Sequence, residues 1–413
     1  MKVTYFLVDF DILIAGAGPA GLATALNLLD ARPQLAGRIA AIDKARHPRR
    51  KTCAGGLIPK TIVALEELGL SFAVPNVTVI RGRASTEVGE VNYPAGRTLC
   101  TIIRRSEFDS WLARIARDRG LVLIEDTRIT GVESGPDRVL VHTARGDFSG
   151  RLLIGADGSG SRVRASLFDA SKASIGRALM TDVPVDPKLA EEFVDSCYRF
   201  DFRCVSSGVQ GYSWSFPCLI GGRPHLNVGI YDQQSRRLRA DSGARVSLLA
   251  ELRLAFPELP LANVGVTPAS YEAFPIRWFN PSDSYAVRNV ILVGDAAGCD
   301  PLLGEGISYA FEHGKLAAHA AQHFLDGDPR ALAAYDEALH LAAVGRKLRW
   351  LGFAARRFYG PRHRLYFRLA MQSRRAQEIG IDWYNGENQL DQVPVRRLVA
   401  RWVSPVLLRR ALR

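Results

Sequence analysis

Nowhere in the 413 residues does an apolar run reach the roughly 18–20 residues that cross a bilayer. The apolar N-terminal stretch is broken by Asp9 and Asp11, unlike a secretory leader, so the expected setting is cytoplasmic. The six cysteines, Cys53, Cys100, Cys197, Cys204, Cys218 and Cys299, form no Cys-x-x-Cys pair and no regular framework, so neither disulfides nor a zinc site is expected. No cysteine follows Cys299, which argues against a late iron–sulfur cluster, since a cluster needs about four thiolates. Internal repeats and low-complexity linkers are absent too, as is a second strand-led Gly-x-Gly-x-x-Gly that would mark a separate nicotinamide domain.

What is present is a chain too long for a single compact core, with 47% hydrophobic and 23% charged residues, as in ordinary folded proteins. The net charge of +12 is unevenly placed. Residues 341–413 carry 16 Lys or Arg against four acids, and the preceding 340 residues are balanced. Aromatic and aliphatic residues interleave with these arginines, a composition suited to anionic lipid more than to nucleic acid.

The pattern alternates strand and helix at first. Phe10–Ala15 reads as a buried strand, Gly16-Ala17-Gly18-Pro19-Ala20-Gly21 as a turn, and the stretch to about Leu29 as a helix; Ile39–Asp43 completes the unit. Sheet is expected from about Val77 to Ile103, then a helix capped by Ser106 with Phe108, Trp111, Leu112 and Ile115 on one face. A β-meander between Leu121 and Leu153 ends on a buried strand, Leu152–Ala156. Residues 176–284 are strand-rich, a further strand spans Asn289–Val293, a helix starts near Gly304, and the chain is helical and basic beyond about 330. The fold class is therefore α/β (α+β): a Rossmann-type dinucleotide-binding unit with a β-meander, a strand-rich substrate domain and a helical basic C-terminal region. The expected division is 1–75, 101–175 and 285–330 for the first, 76–100 and 176–284 for the second, and 331–413 for the third.

Three stretches carry chemistry. Gly16, Gly18 and Gly21 lie between a strand and a helix, where glycine allows the tight turn, the approach of backbone to a pyrophosphate, and close helix–strand packing. Asp43, followed by Lys44, ends the next strand, placed to accept from a ribose hydroxyl. The second stretch, Gly155-Ala156-Asp157-Gly158-Ser159-Gly160, follows a buried strand. The third, Gly294-Asp295-Ala296-Ala297-Gly298 with Pro301, Gly304, Glu305, Gly306 and Ile307, sets an acid at a strand end and then opens a helix N-terminus, suited to a pyrophosphate or a reduced flavin ring.

In order and spacing these stretches resemble the signatures of the para-hydroxybenzoate hydroxylase-like FAD proteins over residues 10–325. The resemblance implies FAD as cofactor, with Asp295 at its ribose, Asp157 near its pyrophosphate and Arg105 touching it. Within that group the chain is most similar to the geranylgeranyl reductase family, which saturates carbon–carbon double bonds of isoprenoids. Lys51-Thr52-Cys53-Ala54-Gly55-Gly56 resembles that family's loop beside the flavin, and Tyr212-Ser213-Trp214-Ser215-Phe216-Pro217 resembles its YxWxFP motif. Cys218 stands where a Lys commonly follows, a departure that bears on any anionic head group.

Several expectations follow. Tyr212, Trp214 and Phe216 alternate with serines, so on a strand the three rings share one face and could wall an apolar cavity, with Pro217 beside them. Cys53 sits after a basic stretch, Arg46, Arg49, Arg50 and Lys51, and is the candidate catalytic residue, positioning substrate or relaying a proton. NAD(P)H or a ferredoxin-type donor protein would supply electrons. An FAD-dependent aromatic monooxygenase shares the same signatures and is the alternative. In the tail, Val395, Leu398, Val399, Trp402 and Val406 fall at helical spacing among arginines, and Trp350, Phe353, Phe358, Tyr359, Tyr366 and Phe367 add aromatic mass. The expectation is a peripheral surface for an anionic membrane at its inner face, and no nucleic-acid partner.

Overall fold

The computed structural model describes residues 8–94, 96–168, 174–234, 246–259, 270–372 and 374–387. The amphipathic stretch at 393–412 lies outside the described residues.

Apolar strands flanked by glycine turns build a parallel sheet, its four central junctions running Val122–Ile124, Ile39–Ile42, Val8–Ala15, Gly146–Gly155 and Val290–Leu292. Ile12, Leu13, Ile14, Leu152, Leu153 and Ile154 are wholly buried, because helices and the meander cover both faces. The meander is the hairpin Ile129–Ser134 and Val139–Thr143, antiparallel to the long strand 146–155. Helices Pro19–Ala31 and Ile307–Leu325 pack side by side on the sheet; Gly314 makes this contact, since a Cβ there would lie 2.9 Å from Ala23 Cβ.

A second, seven-stranded sheet runs Glu272–Arg277, Ile175–Pro184, Arg223–Asp232, Gly211–Ile220, Cys197–Asp201, Arg81–Thr86 and Gly89–Pro94. It is antiparallel except where Cys197–Asp201 joins Arg81–Thr86. The region 77–103, expected as one sheet, divides. Asn76–Val79 and Cys100–Ile103 form a small separate sheet with Gly56–Leu57, carrying the loop around Cys53 between the two larger sheets. Helices Ala331–Leu341, Ala343–Phe358, His363–Met371 and Arg374–Asn385 complete the described chain.

Two helix starts differ from expectation. Ser106 is not a cap: the helix Arg105–Asp118 begins after Arg104 with no side-chain cap, and Ser106 already lies in its first turn. The helix after Gly304 begins at Ile307, since residues 300–305 close on themselves through Gly304 N–H to Asp300 O and Asp300 N–H to Glu305 O.

Candidate functional site: a cavity between the two sheets

Gly16 has a φ of +101°, and a Cβ on it would lie 2.5 Å from the Ala156 carbonyl oxygen. Only glycine turns the chain here. Gly21 lies beneath the turn, where a Cβ would meet the Gly16 carbonyl at 2.1 Å. The helix Pro19–Ala31 then starts with no side-chain cap, so first-turn N–H groups point outward without an intramolecular acceptor side chain. Asp43 braces the turn, accepting from Ala17 N–H at 2.8 Å and Ala45 N–H at 2.9 Å. His47 holds the same turn through Ala17 O and is itself held by Glu125. Lys44 is exposed at the cavity rim.

Arg49 was not singled out as a site residue, yet its guanidinium stands over the turn. A Cβ on Gly18 would come 3.2 Å from Arg49 Nη2, which also lies 3.2 Å from Asp109, and the buried Arg49 Nε has no hydrogen-bond partner. Arg105 is buried and donates twice to Asp109, at 2.7 and 2.9 Å, so its charge reaches the cavity already paired. These groups fit a dinucleotide's phosphates: an open helix N-terminus, a glycine leaving room, and a half-buried guanidinium whose Nε, 3.8 Å from Asp43, makes no hydrogen bond.

Asp157 lines the cavity, but its carboxylate is occupied by Ser161 Oγ–H, Arg162 N–H and Val163 N–H at 2.5, 2.6 and 3.1 Å. Burial raises its pKa, and these three donors oppose the rise. It is thereby the N-terminal anchor of the short helix Arg162–Leu167. Its neighbour Ser159 does reach across, donating to Asp295 at 3.2 Å. Gly294 has a φ of +56°, and a Cβ there would lie 2.6 Å from Ala20 Cβ, so the first and third motifs touch. Gly304, Gly306 and Ile307 line the cavity below Asp295.

The cavity has a volume of about 1240 Å³. Roughly 300–1,000 Å³ holds one drug-sized ligand, so this space accommodates a dinucleotide and a second molecule. Its far wall is aromatic. Tyr212, Trp214 and Phe216 all project from the strand 211–220 to one buried face, as alternation requires, and Trp214 Nε1 donates to Asn227 at 2.8 Å. Pro217 falls on the opposite face with Ser213 and Ser215, so it is not brought to the cavity. Tyr198, Phe200 and Phe202 extend the wall from the next strand, with Phe200 5.1 Å from Tyr212 and 5.4 Å from Phe216. Their every-second-residue spacing matches that of Tyr212, Trp214 and Phe216 and was a readable signal.

The loop 50–53 sits where the two ends meet. Thr52 Oγ donates to Glu272 at 2.7 Å, and Arg50 pairs with the same carboxylate. Lys51 Nζ lies 3.2 Å from the Phe274 ring centroid, and burial pushes its ammonium down to about 8 against the opposing pull of Asp295. Cys53 is half-buried on the cavity wall and accepts from Gly55 N–H at 3.4 Å. Below it, burial pushes Glu305 up to about 7 and Asp300 up to about 6, despite hydrogen bonds from Ser308 and from Leu302, Leu303 and Tyr384.

The C-terminal aromatics differ from their expected place. Trp350, Phe353, Phe358, Tyr366 and Phe367 line this cavity and Tyr359 is buried, because helices 343–358 and 363–371 pack against residues 202, 205 and 302. No helix among the described residues is long and apolar enough to cross a membrane.

A family model described as an FAD binding domain matches residues 9–345. Among curated relatives, the menaquinone reductase of Mycobacterium tuberculosis is 30% identical over 324 residues, 75% of each chain. The geranylgeranyl diphosphate reductase of Rhodobacter capsulatus is 28% identical over 356 residues, 79% of this chain and 78% of the relative. A solved geranylgeranyl bacteriochlorophyll reductase-like protein from Thermoplasma acidophilum superposes with a TM-score of 0.70 at 20% identity, covering 98% of this chain and 99% of that one. That last likeness establishes the α/β fold.

Proposed function

Because the chain belongs to the FAD binding domain family and is an FAD-dependent oxidoreductase, we propose that it saturates carbon–carbon double bonds of an isoprenoid chain. The observation that carries the reading is the single cavity that joins the glycine turns to the aromatic wall. Relatives named as reductases of geranylgeranyl diphosphate and menaquinone support it, since both molecules carry a polyprenyl chain.

Gly16, Gly18, Pro19, Ala20 and Gly21 with Arg49 would hold the pyrophosphate end of FAD, Asp43, Lys44 and Asp295 its ribose side, and Gly304, Gly306 and Ile307 the flavin side. Arg105 acts through Asp109, and Asp157 through the loop it anchors. The chemistry that FAD would supply there, once bound and reduced, is a hydride equivalent for an alkene carbon. A proton reaches the neighbouring carbon, and the net change is the addition of two hydrogens. An isolated alkene accepts hydride poorly, so Tyr212, Trp214 and Phe216 serve by holding the chain in a dry channel where water does not compete. Cys53, on the wall between the two ends, positions the chain or passes the proton. NAD(P)H or a ferredoxin-type protein restores the electrons.

The test is anaerobic. Protein reduced with dithionite is mixed with geranylgeranyl lipids, and flavin reoxidation is followed together with product mass. Reoxidation with a gain of two hydrogens is expected. A flavin that stays reduced until oxygen is admitted would reverse the reading in favour of a monooxygenase.

A further inference from the structure

The seven-stranded sheet presents one face to the cavity, and side-chain size is graded across that face. At the cofactor side a Cβ on Gly304 would lie 3.7 Å from both Tyr231 and Ile276, so the turn before helix 307–325 abuts strands 223–232 and 272–277. Moving away from that contact, register sets Trp214 beside Phe200, Phe200 beside Ala84, and Ala84 beside Val91. A neighbouring row sets Tyr198 beside Gly82, and Gly82 beside Tyr93. All of these line the cavity. The wall thus passes from large rings on strands 197–201 and 211–220 to the small side chains of Gly82, Ala84 and Val91 on the last two strands.

The dimensions give the cavity a direction. Along strand 211–220 its lining reaches only from Tyr212 to Phe216, four steps that span about 14 Å. Across the strands it runs from Ile276 to Tyr93, six strand spacings that span about 29 Å. The far end is stoppered. Thr86 Oγ donates to Met371 Sδ at 3.6 Å, and Tyr93 is buried with the Arg374 guanidinium 5.7 Å from its ring. Arg97, just beyond strand 89–94, pairs with Asp382 and Glu387 and so ties the helix 374–385 to this edge. Before the stopper, Ala84 and Val91 are half-buried and face the cavity, whereas a Cβ on Gly82 would already lie 3.1 Å from the Tyr198 ring.

We propose that the isoprenoid lies across the strands, and that Ala84 and Val91 set the length of chain the channel accepts. This rests on the isoprenoid reading above and adds which residues measure the chain. Four strand spacings separate strand 223–232, against the cofactor turn, from strand 89–94, a path of about 19 Å. An extended isoprene unit has four carbon–carbon bonds along the chain and covers about 5 Å. The path therefore holds about four units, the last of them over Ala84 and Val91. A phenyl ring at either position would fill the space of that last unit, and a β-strand accepts the larger side chain without local conflict.

The experiment uses reduced holoenzyme and polyprenols of two to six isoprene units at fixed detergent, with kcat/KM for hydrogenation measured at each length. In the wild type it is expected to rise by about tenfold per unit up to four units, as each withdraws more apolar surface from water, and then to level off. Ala84→Phe, with FAD content matched to the wild type, should lower the ratio of four-unit to two-unit kcat/KM about tenfold and move the plateau to three units. Val91→Phe should do the same and carries the test where Ala84→Phe does not fold. An unaltered ratio in a folded variant, or a wild-type rise that continues past four units, overturns the inference alone. No hydrogenation of any polyprenol by the wild type overturns the isoprenoid reading and the inference with it.

Discussion

The two ends of the cavity are specified by different parts of the chain. At the dinucleotide end the lining is mostly backbone, glycine turns and an open helix start with carboxylates that brace N–H groups, as with Asp43 and Asp157, and the Arg49 guanidinium stands beside it. At the other end the surface is made by side chains, rings from the strands 197–201 and 211–220 and from the helices beyond 343. A backbone-built site tolerates no added atoms, and a side-chain-built site tolerates no lost ones. The first keeps a fixed cofactor, and the second is free to change with the substrate.

That contrast can be broken most sharply at Gly16. Gly16→Ala places a methyl group 2.5 Å from the Ala156 carbonyl and strains a φ of +101°, so FAD retention should fall by about a hundredfold, read as loss of bound flavin on gel filtration. Retention of normal flavin would mean that the turn yields and that backbone does not define this end. On the other side, Phe216→Ala should leave flavin content intact and lower kcat/KM for the isoprenoid by about tenfold. A joint loss of flavin and turnover would dissolve the distinction between the two ends. Cys53→Ser is expected to cut turnover by about fivefold with FAD content unchanged, and unchanged turnover would remove Cys53 from the mechanism.

The smallest effect is on stability. Burial raises Glu305 to about 7 and Asp300 to about 6, both above their unfolded values, so the folded state binds extra protons in the intervening range. The stability they contribute is present below about pH 4.5 and is lost as pH rises through 6 and 7. Melting temperature should therefore fall by about 5 °C between pH 5 and 8, and Glu305→Gln should flatten part of that slope. A slope unchanged by Glu305→Gln would assign the pH dependence to other groups.

The same contrast explains what the sequence made legible. Gly16, Gly18, Gly21, Asp43 and Gly294-Asp295 were readable because a turn between strand and helix constrains residue type at fixed local spacing. Tyr212, Trp214 and Phe216 were readable through strand alternation, which also assigns Pro217 to the other face. Arg49 was harder, because its position over Gly18 depends on the fold of residues 44–50 and not on any local period. The inward turn of Trp350 and Phe353 was hidden for a related reason. A half-buried helical row among arginines has the same pattern whether it faces lipid or a cavity, and only the packing of helices 343–358 and 363–371 on the second sheet decides.

The loop 300–303 is gripped from four directions. Tyr212 and Tyr359 donate to the carbonyls of Leu303 and Leu302, Gln233 to that of Pro301, and Tyr384 to the Asp300 carboxylate. Its other border is Gly304–Ile307, on the cofactor side. A guest pressing on Tyr212 therefore pulls on the same hinge that shapes the flavin seat, and thermodynamic reciprocity makes the effect run both ways. Lipid in the channel should lower the dissociation constant of FAD by the factor with which FAD lowers that of the lipid.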